Sequence, residues 1–194
     1  PSLAGASHDV ARFQTLLEID KASPHLLQHT RRLKIYVVRW LVPGLTNICD
    51  NPELLRILAI LDKLQEVHMI GHPLPDATNV KQHIGASLRR GLLRIFSLTT
   101  LISVRIERLD GFSTSFLADS LSIQELYLDD CELAPIPEST EMTLAGDLCP
   151  APIKALKIGW NPKRGSNPAN VLTWIASAPS QFKLNAIRRL AVMS

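Results

Sequence analysis

The apolar residues of "SIQELYLDDCEL", residues 122–133, fall at Ile123, Leu126, Leu128 and Cys131. A half-buried strand alternates every two residues and an amphipathic helix repeats every 3.6, and this spacing keeps neither period throughout. Only the middle alternates as a strand does. The outer positions require the chain to bend before and after it, so the stretch predicts a short strand followed by an inward-turning corner. The spacing recurs. "IKALKIGWN" gives Ile153, Leu156, Ile158 and Asn161, and "LISVRIERL" gives Leu101, Val104, Ile106 and Leu109. "LQEVHM" and "IRRLAV" give Leu64, Val67, Met69 and Ile187, Leu190, Val192, and "TRRLKI" is a weaker copy starting at Thr30.

This is the pattern of a leucine-rich repeat, L-x-x-L-x-L-x-x-N/C. The steps between successive copies are 34, 37, 22, 30 and 34 residues, longer than the usual repeat in four cases of five. The intervening segments read as helices. "NPELLRILAILDKL" starts on Asn51-Pro52 and carries Leu54, Leu55, Leu58 and Leu61; "GASLRRGLLRIFS" spaces Leu88, Leu92, Ile95 and Phe96; "SNPANVLTWIAS" carries Val171, Leu172 and Ile175. "STSFLADS" suits one short turn, and the four prolines of "PIPESTEMTLAGDLCPAP" predict a loop. The expected fold is therefore α/β: a leucine-rich-repeat-like solenoid with a parallel sheet on the concave face and helices and loops on the convex face. Residues 1–29 form a helical lead-in, and 30–194 form an irregular repeat domain of about six units. A doubly wound sheet also alternates strand and helix, but its ligand sites follow Gly-rich turns after strands, and none occurs here. The chain stops two residues after Val192 with no polar capping unit. The expectation is that the natural protein continues, or that the last strand is loosely held or paired with another chain. A start at Pro1 rather than Met fits processing or a fragment.

Hydrophobic residues make up 46% of the sequence and aromatics only 5%, which predicts an aliphatic core rather than one built on aromatic clusters. The net charge of +3 is too small to argue for nucleic acid by itself. Arg31-Arg32 and Arg89-Arg90 lack the interleaved aromatics of a single-strand binder. Cys49, Cys131 and Cys149 are few, odd in number and far apart, which favours reduced thiols and an intracellular setting, cytoplasmic or nuclear. No apolar run reaches the length of a membrane span, and residues 1–10 do not form a signal peptide.

The stretch "ARFQTLLEIDKASPHLLQHTRRLKI" reads as a helix containing Phe13, Leu16 and Leu17, a break at Ser23-Pro24-His25, a short helix and the first strand. It resembles the segment that introduces the repeats in the F-box and leucine-rich-repeat-like proteins of mushroom-forming fungi. "GLLRIFSLTTLISVRIERLDGFSTSFLADSLSIQELYLDDCEL" resembles a later segment of the same family. The likeness spans most of residues 11–161 and consists mainly of aliphatic positions. It implies the substrate-recognition repeat region of a ubiquitin-ligase component. The F-box itself is absent from this sequence, so docking to a ligase adaptor would need such a segment before Pro1. The alternative is a stand-alone repeat scaffold or ligand-binding protein unconnected with ubiquitin.

No catalytic constellation stands out, and neither a cofactor nor a metal is expected. Cys131 sits at a repeat corner. His25 and His29, like His68 and His72, are four apart, yet no further ligand is placed to complete a metal site. "NPKRGSNP", residues 161–168, is basic and contains Gly but lacks P-loop spacing. A binding face is the better expectation. Side chains between the buried strand positions form a central row of Lys34, His68, Arg105, Tyr127, Lys157 and Ala191. Arg32 and Arg189 lie on the flank that also holds Glu66 and Glu125. Such a row suits a non-catalytic module that takes an acidic or phosphorylated protein segment, with no role for nucleic acid or membrane.

Overall fold

The computed structural model describes residues 15–37, 52–71, 86–113, 115–118, 120, 122–134, 153–161, 168–177 and 187–193. Helix α1 occupies residues 15–22. It is followed by α2 (Pro24–Leu27), β1 (Arg32–Val37), α3 (Pro52–Ile60), β2 (Glu66–Gly71), α4 (Ala86–Phe96), β3 (Ser103–Glu107) and β4 (Asp110–Ser113). Then come α5 (Ser115–Ala118), β5 (Glu125–Asp129), β6 (Glu132–Ala134), β7 (Ala155–Gly159), α6 (Pro168–Ser177) and β8 (Arg189–Met193). Strands β1, β2, β3, β5, β7 and β8 form one all-parallel sheet in sequence order, and β4 pairs with β6 in a second, two-stranded sheet.

The spacing read from the sequence is the spacing that is buried. In the four middle copies the first, fourth and sixth positions are Leu64-Val67-Met69, Leu101-Val104-Ile106, Ile123-Leu126-Leu128 and Ile153-Leu156-Ile158. None of the twelve is more than 4% exposed. They enter one core with Leu58 and Leu61 at the end of the α3 segment and with Leu88, Leu92, Ile95 and Phe96 of α4. Burying each such side chain is worth roughly 1.5–3 kcal/mol.

The backbone repeats as closely as the side chains. The carbonyl of the residue before each strand accepts two amide hydrogens from the next strand. Arg31 accepts from Gln65 and Glu66, Gln65 from Ile102 and Ser103, Ile102 from Gln124 and Glu125, Gln124 from Lys154 and Ala155, and Lys154 from Arg188 and Arg189, at 2.7–3.1 Å. At the other strand ends Arg108 N–H donates to Asp129 O, Asp130 N–H to Gly159 O and Trp160 N–H to Met193 O. Arg108 and Asp130 occupy equivalent corners, and both are left-handed, with φ of 51° and 53°. That conformation is costly for a side-chain-bearing residue, but it turns Leu109 and Cys131 inward. The Cys131 thiol lies 3.2 Å from Ile106 O and 3.1 Å from Asp129 O, so it meets strand-end carbonyls at the corner.

Four findings differ from the sequence reading. The β4–β6 sheet was not foreseen, because three or four residues after a corner are too few to show a period. Phe96, Phe112 and Phe116 meet with ring centroids 5.2–6.0 Å apart, so an aromatic cluster stands inside an otherwise aliphatic core. On α6 the buried residues are Val171 and Ile175, four apart on one face, while Leu172 is 45% exposed. On α3 the face includes Ile57, and Leu54 and Leu55 are only partly buried. The expected break after α1 is present at Ser23, and Leu17 packs on the core while Leu16 is 38% exposed. The buried carboxylate of Asp20 pairs with Arg56, tying α1 to α3. Phe13, the predicted cap Asn51 and the proline-rich loop 135–152 lie outside the described residues.

Neighbouring helices are locked by close contact. Arg94 of α4 donates to Leu58 O at 2.8 Å, satisfying a carbonyl near the C-terminus of α3. Gly91 faces Leu58 so closely that a Cβ there would collide with Leu58 Cδ1. Gly91→Ala would gain about 1 kcal/mol of helix propensity but overpack the contact by about 1–3 kcal/mol. Guanidinium-chloride unfolding is expected to show net destabilisation. Leu58→Ala should cost about 1 kcal/mol less in that background than in the parent, because the cavity receives the added methyl. Leu126→Asp places an unpaired charge in the core. It should cost more than about 4 kcal/mol and abolish the cooperative melt, whereas exposed substitutions stay within about 0.5 kcal/mol.

Candidate functional site

Alternation within each strand sends the residues between the core positions to the opposite face. There Lys34, His68, Arg105, Tyr127, Lys157 and Ala191 are successive Cα partners across all six strands. Arg32, Glu66, Ser103, Glu125, Ala155 and Arg189 form one flanking row, and Tyr36, Ile70, Glu107, Asp129, Gly159 and Met193 form the other. The rows inferred from spacing are thus the rows present, at about 4.8 Å per strand step. The face is polar and partly open. Arg32, Lys34, Arg105 and Arg189 are exposed, His68, Tyr127 and Lys157 are intermediate, and Ile70 is buried.

Its charges are mostly answered from within. Arg32 Nε lies 2.9 Å from Glu66 Oε2 on the adjacent strand. Arg105 pairs with Glu107 two residues along its own strand, and Glu107 also lies 3.3 Å from His68 Nε2. Arg189 on β8 reaches Glu125 on β5 at 2.9 Å. That bond passes over β7, where the intervening residue in register is Ala155, short enough to leave the path clear. Among the described residues, Lys34 and Lys157 are the central-row cations with no carboxylate in ion-pairing range. Of the three cations expected in the central row, Arg105 is thus paired with Glu107, while Lys34 and Lys157 have no carboxylate partner among the described residues. The missing signal was the pairing of side chains on the face: Arg32 and Glu66 are register partners, and Arg105 and Glu107 are two apart.

Tyr127 is the centre of the arrangement. Arg105 Cζ on one neighbouring strand lies 4.3 Å from its ring centroid, and Lys157 Nζ on the other lies 4.7 Å away. Each such contact is worth about 0.5–1 kcal/mol at a partly exposed site. A third pair, Lys34 over Tyr36 at 5.0 Å, sits at the β1 end. Burial raises the Tyr127 phenol above its ordinary value of 10.0, and the negative charges of Asp129 and Glu107 add to this. The Arg105 charge and hydrogen bond pull the other way without cancelling the rise. Arg105, Tyr127, Lys157, Glu125, Arg189 and Ala191 line a shallow depression of about 650 Å³. Four of the seven residues singled out in the sequence thus meet at one place. Arg32, Lys34 and His68 lie further along the same face, on β1 and β2.

Other candidates resolve simply. Among the described residues no cluster of three or more His, Cys, Asp or Glu side chains could hold a metal. His25 and His29 are exposed, while His72 and most of the basic stretch 161–168 lie outside the described residues. Cys131 is a buried thiol at its corner. No helix among the described residues is long and apolar enough to cross a membrane.

The raised phenol gives a direct readout. Tyr36→Phe leaves Tyr127 as the sole tyrosine of a sequence that has 2, so phenolate absorbance reports it alone. Its midpoint should lie above 10.0 in the folded protein and fall back towards 10.0 in denaturant. Because the folded-state value is raised, this group's contribution to stability is intact below pH 10 and lost as pH rises through the folded midpoint. A folded midpoint at or below the denatured one would contradict the environment described. Comparison of the chain with known families, with curated proteins and with solved structures finds no match.

Proposed function

We propose that the chain is a leucine-rich-repeat-like solenoid whose polar sheet face is a non-catalytic protein-interaction surface. By the sequence resemblance it would be the substrate-recognition repeat region of an F-box-type ubiquitin-ligase component. What supports the repeat reading is the unbroken parallel register through six strands in sequence order, with the same two-amide bond at every step. Each unit buries one stripe against its neighbours and leaves the other free. The interaction reading rests on one observation above the rest: Tyr127 held between Arg105 and Lys157 at a shallow, half-open depression. Tyrosine and arginine are the residue types that most often anchor interfaces, and a rigid ring needs little ordering on binding.

The occupant that suits this site is an acidic or phosphorylated segment. Lys157 offers, beside the ring, an ammonium with no carboxylate partner among the described residues. Arg105 is held by Glu107 and would exchange that partner for a carboxylate or phosphate. The affinity for such a segment would come chiefly from Lys157 and the Tyr127 ring, with Lys34 extending the reach across β1.

The test compares charge reversal with core disruption. Lys157→Glu and Arg105→Glu, singly and together, are expected to weaken capture of an acidic partner by tenfold or more while the melt stays cooperative. Leu126→Asp should remove both fold and capture. Capture unchanged by the reversals in a folded protein would place the binding face elsewhere. The ubiquitin connection has its own test: adaptor binding by the intact parent gene product supports it, and its absence there leaves a stand-alone scaffold.

A further inference from the structure

We infer, resting on the anionic-segment reading above, that the polar sheet face takes a polyproline II segment laid across the strands, with an anionic side chain at every third residue.

The central row alternates in kind. Lys34 on β1, Arg105 on β3 and Lys157 on β7 are cations, with His68 on β2 and Tyr127 on β5 between them. The cations therefore recur at every second strand, about 9.6 Å apart at about 4.8 Å per strand step. Arg105 Cζ and Lys157 Nζ, reaching in from the strands on either side, lie 4.3 and 4.7 Å from the Tyr127 ring centroid, so the two charges are separated by no more than the sum of those distances. Ala191 ends the row on β8, so a ligand moved two strands that way sets one anion against alanine. Glu66 and Glu125 stand in one flanking row, and Glu107 and Asp129 in the other. These carboxylates repel anions that stray from the central line and so hold the segment to it.

Polyproline II is the regular chain conformation that repeats at this interval. It has three residues per turn and rises about 3.1 Å per residue, so residues i, i+3 and i+6 share a face at intervals of about 9.3 Å. A β-strand presents one face at every second residue, about 6.6–6.8 Å apart. An α-helix presents one face at i, i+4 and i+7, about 6 and 10.5 Å along its axis. Over the four strand steps from Lys34 to Lys157, about 19.2 Å, the helix overshoots by about 1.8 Å and polyproline II falls short by about 0.6 Å. A polyproline II backbone also leaves its carbonyls without internal partners. The Tyr127 hydroxyl, in the row between Arg105 and Lys157, is a donor for one of them.

The test measures peptide binding to the whole 194-residue chain by fluorescence anisotropy. The probe is PSPPSPPSP phosphorylated on its three serines. Its controls are PPSPSPSPP and PPPSSSPPP, phosphorylated likewise, with the same composition and charge. The probe should bind at least tenfold tighter than either control. Lys34→Ala, at an exposed position, should weaken the probe about threefold and change the two-phosphate peptide PSPPSP less than twofold, because Arg105 and Lys157 remain to hold the shorter segment. Equal binding of the three nonapeptides would overturn the inference and leave the anionic reading standing. So would tighter binding of a helical peptide bearing the same three groups at i, i+7 and i+14, or a loss on Lys34→Ala as large for the short peptide as for the long one. No binding of any phosphorylated peptide would overturn both.

Discussion

The single carbonyl that accepts two amide hydrogens from the next strand sets the geometry of the whole sheet. It fixes where each strand begins relative to the last, and with that start fixed the alternation of side chains can only run one way. A slip of one residue would send every core leucine to the polar face. Because the same bond occurs at Arg31, Gln65, Ile102, Gln124 and Lys154, the core stripe and the polar row are consequences of one repeated contact. The left-handed corners at Arg108 and Asp130 do the corresponding work at the other strand ends.

This explains why the strands were legible in the sequence. Leu126, Leu128 and Cys131 carry the register in their spacing, and the same spacing in the other copies puts Lys34, His68, Arg105, Tyr127 and Lys157 in one row. What the spacing could not carry was which side chains of the polar face meet. Glu125 and Arg189 are 64 residues apart and meet across β7, where the residue between them in register is the small Ala155. The phenylalanine cluster was hidden for a similar reason. Phe96 ends a helix, Phe112 lies in a strand too short to show a period, and Phe116 sits in a four-residue helix. Leu172 was misplaced because it adjoins a buried neighbour, and only packing decides which of two adjacent apolar residues turns inward.

Seen as electrostatics, the polar face is closer to balance than a count of its central row suggests. Glu66, Glu107 and Glu125 each hold a cation, and Tyr127 holds two by its ring. A ligand on this face would compete with existing partners rather than fill an empty field. Such exchange favours selectivity over raw affinity, since only an occupant that replaces the lost partners in kind gains from it.

The sequence-ordered sheet also bears on how the chain acquires its structure. Each strand of the main sheet pairs only with the strand before it and the strand after it, and central-row partners are 22 to 37 residues apart along the chain. No pairing has to wait for the two ends of the chain to meet. The entropy of closing each loop is met one unit at a time, which keeps contact order low for an all-parallel sheet of this size. The shortest of these loops joins β3 to β5 and contains Phe112 and Phe116 of the aromatic cluster. Folding should begin there and spread outward by addition of neighbouring strands, leaving β1 and β8 the last to order and the first to fray.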